Sequence, residues 1–325
     1  MYLEHFGLDQ PPFRITPDTR VFYPGGERGA VLEALAWAIE SGEGIVKVVG
    51  EVGSGKTMLS RMLANRLPSH VDLVYLVNPG LGADDVMLAI AFELGLQPMS
   101  GRMLVIQHKL HEDLVRRHAE GRQVVVFIEE AQSMPLETLE TVRLLSNLET
   151  DDSKLLQIVL FGQPELDDKL DTNEIRQLRE RITHSFDLRP LSDENASEYL
   201  NFRLRAVGYR GPDLFSRANA RRLNQHAQGL IRRLNVLADK TLMAAYADGT
   251  HTVTRRHVRR AERDREAAPR RRPRRLLLGA SLALLLVVGG TMAWILLQNP
   301  DWASRWAESV QGAGIAVFAP GGDSQ

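Results

Sequence analysis

Short apolar runs recur through the first 190 residues, at 45–49 (IVKVV), 72–77 (DLVYLV), 124–128 (VVVFI), 156–161 (LQIVLF) and 185–188 (SFDL). Runs of this length with few polar interruptions fit strands buried on both faces. Between them apolar residues recur at helical spacing, as with Leu59, Met62, Leu63 and Leu67. Strands alternating with helices predict an α/β fold, a parallel sheet with helices on both faces, over residues 1–190. From 191 to 266 the pattern is helix only, over 193–207, 213–228, 232–246 and 254–266. That predicts a second, small all-helical domain.

The pattern then changes again. Residues 276–297 read LLLGASLALLLVVGGTMAWILL, 22 positions without a charge. As a helix this run is about 33 Å long, enough to cross a hydrocarbon core. Five of the seven residues 269–275 (PRRRPRR) are Arg. Positive flanks stay on the cytoplasmic side. The expected arrangement is a single-pass membrane protein with its N-terminal part cytoplasmic and, in a bacterium, its C-terminal tail periplasmic. Residues 267–275 are then a basic juxtamembrane linker, 276–297 a transmembrane helix, and 298–325 a periplasmic tail too short to bury a core of its own.

Charge sharpens this division. The 325 residues carry a net charge of −1. Residues 1–254 hold a net −7, 255–275 a net +8 and 276–325 a net −2. A basic collar beside an apolar span reads as a contact with anionic lipid. An acidic body has no bulk attraction for nucleic acid, so nucleic acid is not an expected partner. The chain has no cysteine, which excludes thiolate catalysis, a disulfide scaffold and a Cys-based zinc site. His108 and His111 share a helix face, but no third metal ligand accompanies them.

The candidate chemistry sits after the first strand. Gly50, Glu51, Val52, Gly53, Ser54, Gly55, Lys56 and Thr57 match G-x-x-x-x-G-K-[ST] at every specified position. Gly53 and Gly55 let the backbone turn its amides toward phosphate oxygens. Lys56 neutralises the β- and γ-phosphates, and Thr57 offers a hydroxyl to Mg²⁺. The run 124–128 ends in Glu129 and Glu130, a Walker B pattern. Glu129 is placed to hold Mg²⁺ and Glu130 to take a proton from the attacking water. The first of these carboxylates is usually Asp, and Glu in its place makes slow hydrolysis an open alternative. Gln163, at the tip of the strand 156–161, is a candidate sensor of the γ-phosphate. Arg181, with Arg179 as its competitor, ends a basic helix and is a candidate to reach a neighbouring subunit's γ-phosphate.

With these residues in place the chain resembles AAA+ ATPases of the general secretion pathway A type, and within them those of mannose-sensitive haemagglutinin (MSHA) type IV pilus biogenesis. The resemblance rests on MYLEHFGL, PPF and TPDTRVFY near the start, GEVGSGKT, FIEEAQ, LSNLET, LLQIVLFGQPELD, LRERIT, LRPLS, RLRAVGY and GLIRRLNVLADK. It implies a P-loop AAA+ domain over 1–190 and a helical lid over 191–266. It implies ATP and Mg²⁺ as cofactors, homo-oligomers, and pilus or secretion components of the inner membrane as partners. It also makes Arg232 the lid arginine that reaches the nucleotide, with Arg233 beside it as the alternative because Ile231 replaces the family's proline. Relatives that carry a peptidoglycan-binding module have it beyond the span, and a 28-residue tail cannot be one. The expected function is a membrane-anchored ATPase supporting assembly of a type IV-like pilus or a type II secretion-related machine. A nucleotide-gated scaffold with little hydrolysis and a DNA-processing AAA+ ATPase remain the alternatives.

Overall fold

The computed structural model describes residues 2–42, 44–77, 80–96, 103–151 and 153–266. The expected linker 267–275, span 276–297 and tail 298–325 lie outside the described residues. Among the described residues no helix is long and apolar enough to cross a membrane.

A short helix α1 (Tyr2–Phe6) and a loop lead to α2 (Arg28–Glu40). Five strands follow, β1 (Ile45–Val49), β2 (Val71–Leu76), β3 (Gln123–Ile128), β4 (Leu156–Gly162) and β5 (Ile182–Asp187). They form one sheet in the order β2-β3-β4-β1-β5, and every pairing is parallel. Helices α3 (Lys56–Arg66), α4 (Ala83–Glu93), α5 (Met103–Ala119), α6 (Leu136–Leu145), α7 (Glu165–Leu170) and α8 (Arg176–Arg179) make the crossovers.

Alternation along the strands splits the core in two. Val46, Val48, Val125, Phe127, Val159 and Phe161 point to one face and pack on Leu32, Leu35, Leu59 and Leu63 of α2 and α3. Ile45, Val74, Val126, Ile158 and Leu160 point to the other, against Val86, Ile90, Leu110, Leu139 and Val142 of α4, α5 and α6. Both faces are covered, which is why the strands read as near-continuous apolar runs.

Strand β5 differs from the sequence expectation of 185–188. It starts three residues earlier, and its residues alternate between half-buried and exposed. β5 is an edge strand whose alternate residues Thr183, Ser185 and Asp187 are exposed, and these polar positions hide it from a search for apolar runs.

The helical part comprises α9 (Asp193–Arg205), α10 (Arg217–Ala227), α11 (Ile231–Ala247) and α12 (Arg255–Glu266). The side chains of Ser192 and Ser216 cap α9 and α10, accepting from the backbone N–H of Asn195 and Asn219. That cap starts α10 four residues later than the sequence pattern implies. The N-terminal segment, expected in the α/β domain, packs here instead. Phe6, Leu8, Phe13, Val21 and Tyr23 share a core with Tyr199, Leu204, Phe215, Leu223 and Leu237. Tyr2 donates to Asp239 at 2.7 Å. The basic run 255–266 is amphipathic, burying His257, Val258, Ala261 and Glu262 and exposing Arg255, Arg256, Arg259 and Arg260.

Candidate functional site

The loop 50–55 leaves the C-terminal end of β1 and delivers Lys56 as the first residue of α3. Gly53 (φ +85°) and Gly55 (φ +109°) hold left-handed backbone that disfavours a side chain. Space is also short at Gly53, where a Cβ would lie 2.8 Å from that of Arg232. Lys56 is 5% exposed and donates to the carbonyls of Gly50 (2.6 Å) and Glu51 (3.2 Å). Burial pushes its ammonium pKa down, and the carboxylates of Glu130, Glu129, Glu51 and Glu165 oppose that shift.

Strand β3 ends against this loop. Glu129 is buried, and its Oε2 lies 3.4 Å from Thr57 Oγ1. Its Oε1 accepts from Ser60 Oγ (2.5 Å) on α3 and from the Tyr75 hydroxyl (2.7 Å) on β2. Glu130 turns the chain with φ 53°. Its Oε2 accepts from the side-chain amides of Gln132 (2.7 Å) and Gln163 (2.8 Å). The Gln132 carbonyl in turn accepts from the Gln163 backbone N–H at 3.0 Å, which fixes that amide's orientation. Burial alone would raise the Glu130 carboxyl pKa. The two amides, Lys56 and Arg232 outweigh burial and hold it below the usual glutamate range.

Arg232 stands at the start of α11, and its backbone N–H donates to Gly53 O at 3.1 Å. It lines one cavity with Gly53, Gly55, Lys56, Thr57 and Glu130. Arg233 turns away and donates to Gln228. Ile231, in the place of the family's proline, is the first residue of the helix.

The other candidates lie elsewhere. Arg181 immediately precedes β5, at the end of the sheet opposite the loop 50–55, in a shallow pocket with Gly44, Ser146 and Lys154. Among the described residues its side chain makes no hydrogen bond or ion pair. Arg179 pairs with Asp171 at 2.7 Å, both exposed. His108 pairs with Glu112, and no cluster of three metal-binding side chains occurs among the described residues.

Several site residues escaped the sequence reading. Gln132 was visible in FIEEAQ, two positions past Glu130, and carried no role there. Ser60 and Tyr75 belong to a helix and a strand whose patterns advertise only packing. Arg28 on α2 is 3% exposed, lines the cavity, and donates to the backbone carbonyls of Ser54 (3.3 Å) and Arg189 (3.1 Å). Burial pushes its pKa down to about 10. Its partners are main-chain atoms, so no sequence signal marks it.

These residues fit a magnesium nucleotide. The Ser54 hydroxyl is fully buried within the loop and has no hydrogen-bond partner among the described residues. Among the described residues the Lys56 ammonium is met only by two loop carbonyls. Thr57 and Glu129 bring two hard oxygen donors together, as Mg²⁺ requires.

An AAA domain family matches residues 39–170. General secretion pathway protein A of Aeromonas hydrophila is 39% identical over 260 residues, which cover 78% of this chain and 46% of that protein. The chain therefore spans just under half the length of this curated relative. Among solved structures, the Aeropyrum pernix ORC2 protein in its ADPNP-ADP complexes superposes with a TM-score of 0.60 at 18% identity, over 81% of this chain and 73% of that one. The Aeropyrum pernix ORC1 protein in complex with DNA gives 0.58 at 18% identity, over 78% and 69%. Drosophila ORC bound to DNA gives 0.55 at 17%, over 79% and 65%. At these identities the structures share the fold and no more.

Proposed function

Since the chain belongs to the AAA+ proteins of the general secretion pathway protein A type, we propose that it binds MgATP in the cavity between the sheet and the lid and hydrolyses it. The reading is carried by the convergence of Lys56, Thr57, Glu130 and Arg232 on one cavity, from three separate elements. Glu129 and Gln163 join the cluster through their bonds to Thr57 and Glu130. The relative's name points to secretion. We extend the proposal to a protein held at the bacterial inner membrane by 276–297, serving a secretion machine or a related type IV (MSHA-type) pilus.

Each residue then has a task. Lys56 exchanges its two loop carbonyls for phosphate oxygens. Thr57 and Glu129 hold Mg²⁺, which when bound supplies positive charge against the charge that builds on the transferred phosphoryl group. Glu130 orients the attacking water and takes its proton. Gln132 and Gln163 fix the Glu130 carboxylate, so a change at the β4 tip reaches the base directly. Arg232 donates to the phosphates from the lid, and Arg181 reaches the site of a neighbouring subunit.

Replacing Lys56 with Ala tests the reading. Removing a charge-assisted contact of about 1.5–3 kcal/mol weakens ATP binding by about 10- to 100-fold, measured with a fluorescent analogue. Unchanged affinity overturns the reading. One observation favours the second reading, a nucleotide-gated scaffold with little hydrolysis. Glu130 is held below the ordinary carboxylate range, which makes it a weak base. Steady-state phosphate release separates the two. The ATPase reading expects Glu130→Gln to slow release by about 100-fold or more while ATP still binds. Equal release by both proteins establishes the scaffold.

A further inference from the structure

The Walker B position of this chain carries Glu129 in place of the usual aspartate, one methylene longer by about 1.5 Å. A longer side chain at the same strand end has more rotamers and a carboxylate that overshoots. Here the overshoot is taken up. Oε1 reaches past the loop to the Ser60 hydroxyl at 2.5 Å and the Tyr75 hydroxyl at 2.7 Å. These two hydroxyls are themselves 2.6 Å apart. Ser60 is fully buried, Glu129 is 5% exposed and Tyr75 is half-buried, so the carboxylate meets its two hydroxyls largely out of water. Tyr75 is braced by its ring, which packs on Phe127 with centroids 5.9 Å apart. The other oxygen, Oε2, is left toward Thr57.

We propose that Ser60 and Tyr75 are positioning residues that clamp Oε1 of Glu129 and so present Oε2, beside Thr57 Oγ1, as the Mg²⁺-facing oxygen. The clamp is the compensation that lets glutamate do the work of aspartate. The proposal rests on the nucleotide reading of the cavity. It goes beyond it by assigning the metal affinity to a strand and a helix position outside the P-loop and Walker B motifs. Groups that orient metal ligands typically change metal affinity by about 10- to 100-fold when removed.

The test uses the full-length chain and a fluorescent ATP analogue, titrated with Mg²⁺ and, in parallel, with EDTA present. The readout is the Mg²⁺ concentration at half-saturation, with the affinity in EDTA showing for the same preparation that the pocket is folded. Tyr75→Phe keeps the ring on Phe127 and removes only the hydroxyl. It should raise the half-saturating Mg²⁺ by about tenfold, and Ser60→Ala should act in the same direction. Glu129→Asp withdraws the carboxylate from hydrogen-bond range of the phenol, so Tyr75→Phe should add nothing in that background. A Tyr75→Phe shift of less than about twofold overturns the clamp, as does an equal shift in both backgrounds. Failure of the unmodified chain to bind the analogue overturns the nucleotide reading itself, and the two failures are distinguishable.

Discussion

Glu130 adopts a left-handed backbone (φ 53°, ψ 38°) that residues with a side chain seldom take. Conformations of this kind persist where the surroundings over-determine them, at a cost of about 1–3 kcal/mol. Here the surroundings are Gln132 and Gln163, which grip one carboxylate oxygen between them. Their bonds favour the charged form, so they set where Glu130 titrates. A carboxyl whose folded-state pKa is depressed contributes stability that is complete above its unfolded value. That contribution is lost as pH falls through the folded value. Glu130 is therefore charged near neutral pH, and on the proposed ATPase reading the acid limb of hydrolysis should lie below the ordinary glutamate range. Gln163→Leu removes one donor to the charged form, so the limb should move upward, by about one unit for about 1.4 kcal/mol. Phosphate release across pH, with the intact chain as reference, reads that shift. An unmoved limb shows that Gln163 does not govern the base.

The elements that position this residue were legible to very different degrees. The three inner strands read directly, because burial on both faces leaves apolar runs such as VVVFI and LQIVLF. The P-loop read directly too, since its glycines, Lys56 and Thr57 are adjacent in sequence. The N-terminal segment did not, because Tyr23 finds its partners Tyr199 and Phe202 on α9 and Phe13 finds Phe215 just before α10, all more than 170 residues away. Nor did the junction that sets the lid. The α10–α11 turn carries Gln228 (φ 58°) and Gly229 (φ 70°), and Leu191 N–H donates to Gly229 O at 2.8 Å. A Cβ on Gly229 would lie 2.6 Å from Pro190 Cβ and 2.7 Å from Leu191 O. This contact fixes where α11 begins and hence where Arg232 stands over Gly53. Gly229→Ala should cost about 1–3 kcal/mol of stability, from the left-handed strain and the close approach together. It should also weaken ATP binding by displacing Arg232. A thermal melt and the fluorescent-ATP titration check the two effects separately, and a melt within error of the unmodified chain removes the argument from Gly229.

At the scale of the molecule, one candidate stands apart from all the others. Lys56, Thr57, Glu130 and Arg232 gather beyond the C-terminal end of β1, whereas Arg181 precedes β5 at the level of Ile45, where β1 starts. The five residues of β1 place about 16 Å of strand between the two ends. The Arg181 side chain also makes no hydrogen bond or ion pair among the described residues, unlike those of Arg176 and Arg179 on the preceding helix. A guanidinium at that distance does nothing for its own nucleotide. If it acts on phosphate, it does so in the site of a neighbour, and a head-to-tail ring supplies such a neighbour at every interface. The arrangement has a consequence that separates it from a purely local role. Arg181→Ala and Glu130→Gln should each be nearly inactive alone. Mixed in equal amounts, about one site in four pairs an intact Glu130 with an intact Arg181 from the next subunit, and should regain its activity. Phosphate release near a quarter of the unmodified level after subunit exchange supports action between subunits. A mixture as silent as its two components shows that Arg181 does not act between subunits and overturns its assignment to a neighbour's site.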